Sequence, residues 1–458
     1  MSTHHQKVGA TGQGQLFKQR ASQLPDAQRE QILREKLYQK AKQQPDFRFY
    51  ILYDKMFLPY LLRQAWKRVK AGGKTPGIDN VRVEAIEQYG VDRYLEQLGE
   101  ELRTRTYRPQ AVKRVMIPKA NGGQRPLGIP TLRDRIAQNV AVMILEPIFE
   151  ADFEESSYGF RPGRSAKDAM AAIKANLKAG KTQVYDADLS RYFDSIPHDR
   201  LMKTLNQRIT DPRMLKLIHM WLKAPVVENG VYKGGKKHTE GTPQGGVISP
   251  LLANIYLHLL DRIVNNPQSL FARYGVRMVR YADDFVLMAP NIPRVILHRL
   301  KRILTRMGLT LNEQKTHLVD ATKQPFDFLG LTVRYDRDLK GRGFRYWNLM
   351  ASKKSEKKLT GKTRTYLSTH GHLSPPLIAE GLNQMLRGWL NYFDMEGVSY
   401  LAMNKRRLRY YLSGRLHRYY GRKSQRKSRL YRQNAFEVLV SQHGLIDPTQ
   451  YSKRMAKL

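Results

Sequence analysis

Two adjacent acids inside an apolar run constrain the fold of this chain more than any other feature of its sequence. The stretch "VRYADDFVLM", residues 279–288, has the composition of a buried strand, yet Asp283 and Asp284 lie at its centre. Neighbouring carboxylates in an apolar setting cost folding free energy unless a cation lies close to them. The pattern predicts a tight acidic hairpin that holds a cation; the alternative is a solvent-facing hairpin tip with two exposed acids.

A second acidic strand lies upstream, in "VYDADLSRYFD", residues 184–194. Asp186 and Asp188 are two residues apart, so a strand places both side chains on one face. If this strand neighbours the one that carries Asp283, then Asp188, Asp283 and Asp284 converge at one end of a sheet. We expect Asp186 itself to cap or pair structurally rather than to bind metal.

Three convergent carboxylates indicate which cation they would hold. Mg²⁺ is a hard cation that prefers carboxylate, water and phosphate oxygens. Two Mg²⁺ ions about 4 Å apart form the usual clamp for in-line phosphoryl transfer, in which one activates the attacking hydroxyl and the other steadies the leaving group. The sequence therefore predicts two magnesium ions held for nucleotidyl transfer.

The charge balance agrees with a nucleic-acid partner. The 458 residues include 80 Lys plus Arg against 40 Asp plus Glu, a formal net charge of +40, which favours a polyanionic partner. The chain has no cysteine, which excludes disulfides, iron–sulfur clusters and cysteine-based zinc sites. No run of about eighteen apolar residues occurs, so we expect no membrane partner and a cytoplasmic location.

The order of the predicted elements favours an α+β fold. The segment "YRPQAVKRVMIPKANGGQRPLGIP", residues 107–130, predicts a β-hairpin, and residues 132–153 predict a helix. The two acidic strands, with "FDFLGLTVRYD", residues 326–336, as one further strand, predict a small antiparallel sheet backed by helices. Beyond residue 350 the pattern becomes helical and basic, and no acid occurs between Glu396 and Glu437.

These motifs, taken in order, resemble those of the reverse transcriptases encoded by group II introns, the intron maturase family, over nearly all of the chain after residue 28. The blocks that carry the resemblance are "GKTPGID", "YRPQAVKRVMIPKANGGQRPLGIPTLRDRIAQ", "YGFRPGRSAKDA", "DADLSRYFDSIPHD", "GTPQGGVISPLLANIYL", "RYADDFVL", "GLTLNEQKT", "FDFLG" and "LNQMLRGWLNYF". The last block is similar to the maturase-specific thumb region, which separates this family from viral reverse transcriptases. Many relatives add a C-terminal endonuclease domain, and we expect this chain to be the form that lacks it.

The resemblance implies the fold of a right-hand polymerase. Its parts would be an N-terminal extension at 1–45, fingers and palm at 46–347, a helical thumb or maturase domain at 348–410, and a basic DNA-binding tail at 411–458.

The resemblance also implies residue roles. Asp188, Asp283 and Asp284 would be the catalytic magnesium ligands, completed by the backbone carbonyl of Leu189. Residues that match nucleotide-binding positions are Lys119 and Arg125 for the triphosphate, Phe193 against the sugar, Gln244 in the pocket and Lys315 near the pyrophosphate. Arg161 and Arg164 match a segment that runs along the template–primer in the family, or they are surface charges. The run of Tyr, Arg and Lys near 405–432 is either a solvated helix face or, since aromatic residues among cations suit stacking and phosphate contact, a nucleic-acid surface. Its candidate contacts are Arg406, Arg407, Arg409, Arg415, Arg418, Arg422 and Lys423.

The implied function is RNA-directed DNA polymerisation. The partners would be an intron or template RNA, a DNA primer or target and the four deoxynucleoside triphosphates, and the protein would also assist splicing and retrohoming of its intron. Two alternatives stay open: a domesticated relative in antiphage defence or CRISPR spacer acquisition, and a splicing chaperone without polymerase activity. The sequence does not indicate an oligomeric state.

Overall fold

A computed structural model describes residues 24–73, 75–118, 123–235, 238–338, 343–370, 372–421, 430 and 432–452. The helices are α1 (Asp26–Gln43), α2 (Pro59–Gly72), α3 (Val83–Tyr89), α4 (Val91–Thr104), α5 (Leu132–Glu150), α6 (Ala166–Lys178), α7 (Tyr192–Ser195), α8 (His198–Asn206), α9 (Pro212–Leu222), α10 (Ser249–Asn265), α11 (Leu270–Arg273), α12 (Arg294–Arg306), α13 (Lys353–Thr369), α14 (Pro375–Phe393), α15 (Ala402–Gly421) and α16 (Ala435–His443), with a 3₁₀ turn at Tyr53–Lys55. The strands are β1 (Val112–Pro118), β2 (Gln124–Ile129), β3 (Gln183–Ala187), β4 (Val226–Glu228), β5 (Val231–Lys233), β6 (Arg277–Tyr281), β7 (Asp284–Ala289), β8 (His317–Asp320), β9 (Phe326–Phe328), β10 (Leu331–Arg337) and β11 (Arg345–Ala351). The α+β class is confirmed.

The central sheet has the strand order β6-β7-β3-β8, and all its neighbouring strands are antiparallel. Alternate residues of β7 enter two different cores. Phe285 and Leu287 join the core built with α5 and α10, while Val286 and Met288 join a core on the opposite face with α6. Because both faces are covered, β7 is apolar from Phe285 to Ala289 instead of alternating with polar residues.

A second sheet has the strand order β2-β1-β4-β5. The predicted hairpin of β1 and β2 is confirmed, with Lys113 paired to Ile129 and Ile117 paired to Arg125. Most of its predicted turn, residues 120–122, lies outside the described residues. Helix α5 is apolar on nearly every side and packs against α1 and α2, which anchors this part of the chain on the central core.

A third sheet, of order β11-β10-β9, connects the central sheet to the C-terminal helices. The prediction of one strand over residues 326–336 was wrong, because the chain reverses between Phe328 and Leu331. Leu329 and Gly330 have φ of 49° and 78°, the left-handed conformation that a two-residue hairpin turn needs. β9 and β10 therefore pair with each other.

The C-terminal helices form a bundle with its own core. Leu382, Leu386 and Leu390 of α14 and Leu408, Leu412 and Leu416 of α15 belong to this core. Each set repeats every four residues, which places it on one helix face. β11 ends at Ala351 and α15 is continuous to Gly421, so the expected boundaries near 347 and 410 fall within these two elements. None of the helices in the described ranges has the length and apolarity needed to cross a membrane.

Candidate functional site

The structure brings the three predicted acids together at one end of the central sheet. β3 pairs antiparallel with β7, and Ala187 is opposite Phe285. The next step of the same register places Asp188 beside Asp284, the first residue of β7. Asp283 lies in the two-residue turn that closes β6 onto β7, where Tyr281 is paired with Asp284. The prediction that these two strands are neighbours is confirmed.

The acids repel one another electrostatically. Desolvation, followed by the charges of Asp283 and Asp188, raises the pKa of Asp284 to about 6. Burial also raises the pKa of Asp283, and the charge of Asp188 adds to this effect. Desolvation and the charges of Asp284 and Asp188 raise the pKa of Asp186 to about 7. The site therefore carries negative charge that the protein only partly neutralises.

Lys315 supplies part of that neutralisation. Its Nζ lies 3.1 Å from Oδ2 of Asp188. The loop that carries Lys315 is held beside the end of β3, because the amide of Asn312 donates to the carbonyl of Asp188 over 2.8 Å. Lys315 is thus placed at the acids, and its side chain remains largely exposed.

The carbonyl of Leu189, predicted as a metal ligand, is not used in the backbone pairing around it. Leu189 forms an isolated bridge with Leu311. The two hydrogen bonds that flank this bridge run from the Asn312 amide to the Asp188 carbonyl and from the Ser190 amide to the Thr310 carbonyl. The carbonyl of Leu189 is not used by the bridge and points away from Leu311.

A completely buried arginine supports the acidic hairpin from behind. Arg280 and Asp261 are both 0% exposed and form an ion pair between β6 and α10. Nη1 of Arg280 also donates to the carbonyl of Ala282 and to Oδ1 of Asn254, each over 2.9 Å. Ala282 has φ of 58°, so this hydrogen bond stabilises the turn that carries Asp283.

The same turn packs directly on a glycine. A Cβ on Gly159 would lie 2.4 Å from the amide nitrogen of Ala282, so only glycine fits there. The Gly159 carbonyl accepts from Nδ2 of Asn254 over 2.8 Å, which links it to Arg280. The segment "YGFRPGR" therefore positions the acidic hairpin through its backbone.

Two of the predicted nucleotide-binding residues contact each other. Nε of Arg125 donates to Oε1 of Gln244 over 3.1 Å, and Nε2 of Gln244 donates to Oδ2 of Asp194 over 3.3 Å. Phe193, next to Asp194, is 9% exposed, and its carbonyl accepts from the Thr242 amide. These contacts join β2, α7 and the "TPQGG" loop into one wall beside the acids. Lys119 lies outside the described residues.

The donor chemistry of the site fits a hard divalent cation. In the ranges that the structure describes, no three Asp, Glu, His or Cys side chains already form a metal-ligand set. The acids nevertheless offer only oxygen donors, and their mutual repulsion and raised pKa values are the conditions under which a bound cation stabilises the charged form. The side chains would need to turn toward a common centre, and Asp188 would need to exchange its contact with Lys315.

The predicted nucleic-acid contacts divide into engaged and free side chains. Arg161 is 7% exposed and donates to Glu150 and to two backbone carbonyls. Arg164 pairs with Glu155, and Arg409 pairs with Glu437 and Asp447. Arg407 lies 3.9 Å from Glu356. Arg406 and Arg418 are exposed and have no partner among the described residues, and Arg415 is partly buried. Arg422 and Lys423 lie outside the described residues.

Arg280 and Asp261 were given no role by the sequence patterns. A weak signal was present, since Arg280 follows Met278 and Val279 in β6 and Asp261 follows Leu259 and Leu260 in α10, so each charge lies in a largely apolar stretch. A charge in such a position needs a partner of opposite sign.

Comparisons with known proteins agree with this geometry. Residues 117–333 match the family described as "Reverse transcriptase (RNA-dependent DNA polymerase)", and residues 356–436 match "Group II intron, maturase-specific domain". Protein YkfC of Escherichia coli K12 is 38% identical over 293 residues, 57% of this chain and 76% of YkfC. The group II intron-encoded protein LtrA of Lactococcus lactis is 30% identical over 366 residues, 66% of this chain and 60% of LtrA. The putative COX1/OXI3 intron 1 protein of Saccharomyces cerevisiae is 30% identical over 325 residues, 60% of this chain and 38% of that protein.

Proposed function

This chain belongs to the group II intron family of reverse transcriptases and maturases, and on that premise we propose that it is an active RNA-directed DNA polymerase. It extends a 3′ end on an RNA template with deoxynucleoside triphosphates. The observation that supports this most strongly is the register of β3 and β7, which sets Asp188 beside the Asp283–Asp284 turn.

Asp188, Asp283, Asp284 and the Leu189 carbonyl would hold two Mg²⁺ ions. When bound, these ions promote ionisation of the attacking 3′-hydroxyl and stabilise the charge of the departing pyrophosphate. Arg280 and Gly159 hold the turn that carries Asp283, so two of the acids are positioned before any ligand arrives. Lys315 pairs with Asp188 in the absence of the ions, and during the reaction it would donate a proton to the leaving pyrophosphate.

The wall formed by Arg125, Gln244 and Phe193 would bind the incoming nucleotide. Arg125 presents a planar guanidinium suited to phosphate oxygens, and Lys119 would add a second charge on the same hairpin. Phe193 is held by the Thr242 contact and would lie against the sugar, where its ring excludes a 2′-hydroxyl. Deoxynucleotides would be the preferred substrates.

The C-terminal helices would bind intron RNA and assist its splicing and retrohoming, with a DNA primer or target as the further partner. The formal net charge of +40 supports binding to polyanions of both kinds. The cations that remain exposed on α15, Arg406, Arg407 and Arg418, support a contact there, whereas Arg161 and Arg409 are already paired within the protein.

Primer extension tests the proposal. A DNA primer annealed to an RNA template should be extended by the wild-type chain with Mg²⁺ and deoxynucleotides, and Asp283→Asn should reduce the rate at least about 100-fold. Asp320→Asn is the matched control, because Asp320 pairs with Gln183 at the opposite end of β3 and should leave the rate unchanged. Equal rates for wild type and Asp283→Asn would refute the active site. RNA that copurifies with the protein would be sequenced to distinguish an intron partner from a defence role.

A further inference from the structure

The outward face of α15 carries a stripe of largely exposed side chains, although Arg407 lies 3.9 Å from Glu356 of α13. Residues at three- and four-residue spacing align along one face of a helix. From Met403 to Gly421 that face of α15 carries mainly cationic, aromatic and small side chains, among them Arg406, Arg407, Tyr410, Gly414, His417 and Arg418. The opposite face, with Leu408, Leu412 and Leu416, packs into the bundle core. At 1.5 Å per residue the stripe is about 27 Å long.

Tyr410 lies at the centre of this stripe and is unusually exposed. Its side chain is 85% accessible, and within the described residues it has no hydrogen bond, ring contact or cation contact. An aromatic ring left in water on a stable helix gains nothing for folding. Arg406 and Arg407 lie one turn before the ring, and His417 and Arg418 lie two turns after it. The ring is therefore suited to stacking on a nucleic-acid base while these side chains bind the neighbouring phosphates.

Gly414, one turn after Tyr410, keeps space open beside the ring. An ideal Cβ at Gly414 would meet no atom within 4 Å, so packing inside the protein does not require a glycine there. A glycine inside a helix costs about 1 kcal/mol relative to alanine. The open backbone allows a flat group stacked on Tyr410 to lie directly against the helix.

We propose that this stripe, residues 403–421 of α15, binds an unpaired stretch of RNA, with one base stacked on Tyr410 and neighbouring phosphates on Arg406 and Arg418. The proposal rests on the proposed function, since it names the form of RNA that the C-terminal helices recognise. No acid lies on α15, which agrees with a polyanionic occupant. Unpaired RNA is favoured over a duplex because a base must be free to stack, and over DNA because Ser413 and His417 on the same face can hydrogen-bond a 2′-hydroxyl.

Equilibrium titration of the full chain tests the proposal. The probe is an unstructured twelve-nucleotide RNA with a fluorescent adenine analogue in its centre, compared with a blunt RNA duplex of the same length and with single-stranded DNA of the same sequence. Tyr410→Ala should weaken binding of the unpaired RNA about 5- to 100-fold and remove the fluorescence quenching that stacking causes. Tyr410→Trp should restore both, whereas Tyr410→Leu, of similar bulk but without a π-face, should not. Because the ring is exposed, none of these variants removes packing.

Tyr274→Ala is the matched control, since Tyr274 is exposed before β6, at the end of the central sheet away from the acids, and its variant should bind as the wild type does. The Arg406→Gln/Arg418→Gln variant should reduce the salt dependence of binding by about two counterions. Wild-type affinity in Tyr410→Ala, or an equal loss for the duplex, would overturn the stacking proposal. Equal wild-type affinity for the DNA strand would overturn its assignment to RNA. The titration needs no polymerisation, so it can fail while primer extension succeeds.

Discussion

Arg280 and Asp261 form an ion pair with no solvent exposure on either side chain, and the same guanidinium holds the turn that carries Asp283. Nε of Arg280 donates to Oδ1 of Asp261 over 2.8 Å, while Nη1 reaches the carbonyl of Ala282 over 2.9 Å. One cation thus has two separable tasks. It satisfies a buried acid in α10, and it stabilises a left-handed residue one position before Asp283.

These two tasks predict a dissociation between stability and activity. Arg280→Met leaves Asp261 buried and unpaired, so it should lose about 3–5 kcal/mol of unfolding free energy. The double variant Arg280→Met/Asp261→Leu removes both charges and should recover most of that loss in urea titrations. It still lacks the donor to Ala282, so kcat for primer extension should stay about 10- to 100-fold below wild type with little change in KM.

Asp261→Asn provides the converse control. It keeps the Arg280 donor to Ala282 but weakens the ion pair, so it should lower stability while kcat at low temperature stays near the wild-type value. If the double variant regained stability and kcat together, Arg280 would have a purely structural role.

Much of the site could be predicted from local sequence. Alternation along an extended chain places Asp186 and Asp188 on one face, and the Asp283–Asp284 pair interrupts an apolar strand. Both patterns depend only on residues that are close in sequence, so the sequence predicts them directly. The four-residue leucine spacing in α14 and α15 likewise follows from helix periodicity. The adjacency of β3 and β7 was the long-range step; it entered the sequence analysis as a condition, and the strand register confirms it.

The remainder depends on contacts that sequence spacing does not encode. The sequence does not show which of the predicted nucleic-acid contacts are already paired within the protein. The fold shows that Glu150 neutralises Arg161, whereas Arg418 is exposed to solvent. The turn at Leu329 was missed because leucine rarely adopts a positive φ, so no turn residue other than Gly330 marked it. Lys315 meets Asp188 across 127 positions of sequence.

Asp186 makes the stability of the ion-free protein depend on pH. Its pKa is raised to about 7, so between pH 4 and 7 the folded state holds a proton that the unfolded state releases. Unfolding then releases a proton, and stability falls as the pH rises through this window. Asp186→Asn removes the ionisation and should be more stable than wild type by about 1–3 kcal/mol at pH 8, with the difference disappearing as the pH approaches 4.

Urea unfolding at pH 5 and pH 8 without divalent ions measures this effect. Asp168→Asn is the comparison with the opposite sign. The hydrogen bond from the Ser165 hydroxyl lowers the pKa of Asp168, so removing the Asp168 carboxylate should destabilise the protein at pH 8. A pH-independent difference between wild type and Asp186→Asn would show that Asp186 is ionised to the same extent in both states.

Mg²⁺ should stabilise the folded chain before any substrate is added. The charged acids repel one another in the free site, and an ion that binds only the folded state adds RT ln(1 + [L]/Kd) to its stability, about 2.7 kcal/mol at 100 times Kd. Thermal unfolding at pH 8 should therefore show a rise in Tm with Mg²⁺ that saturates. Asp283→Asn/Asp284→Asn should start from a higher Tm without Mg²⁺ and respond little to it. An equal response in both proteins would place the stabilising ion elsewhere.

Phe193 offers a test of sugar selection that separates steric exclusion from general damage. The ring packs edge-on against Tyr192 with centroids 5.6 Å apart, and Tyr192 is itself anchored by its hydroxyl to the Ala253 carbonyl over 2.6 Å. Its orientation is therefore set by the fold and not by the nucleotide. Phe193→Val shortens the side chain, so kcat/KM for ribonucleoside triphosphates should rise about 10- to 100-fold while that for deoxynucleotides changes little. Phe193→Tyr retains the ring and should keep the wild-type preference. A parallel fall for both sugars in Phe193→Val would mean that Phe193 supports the wall of the site without contacting the 2′ position.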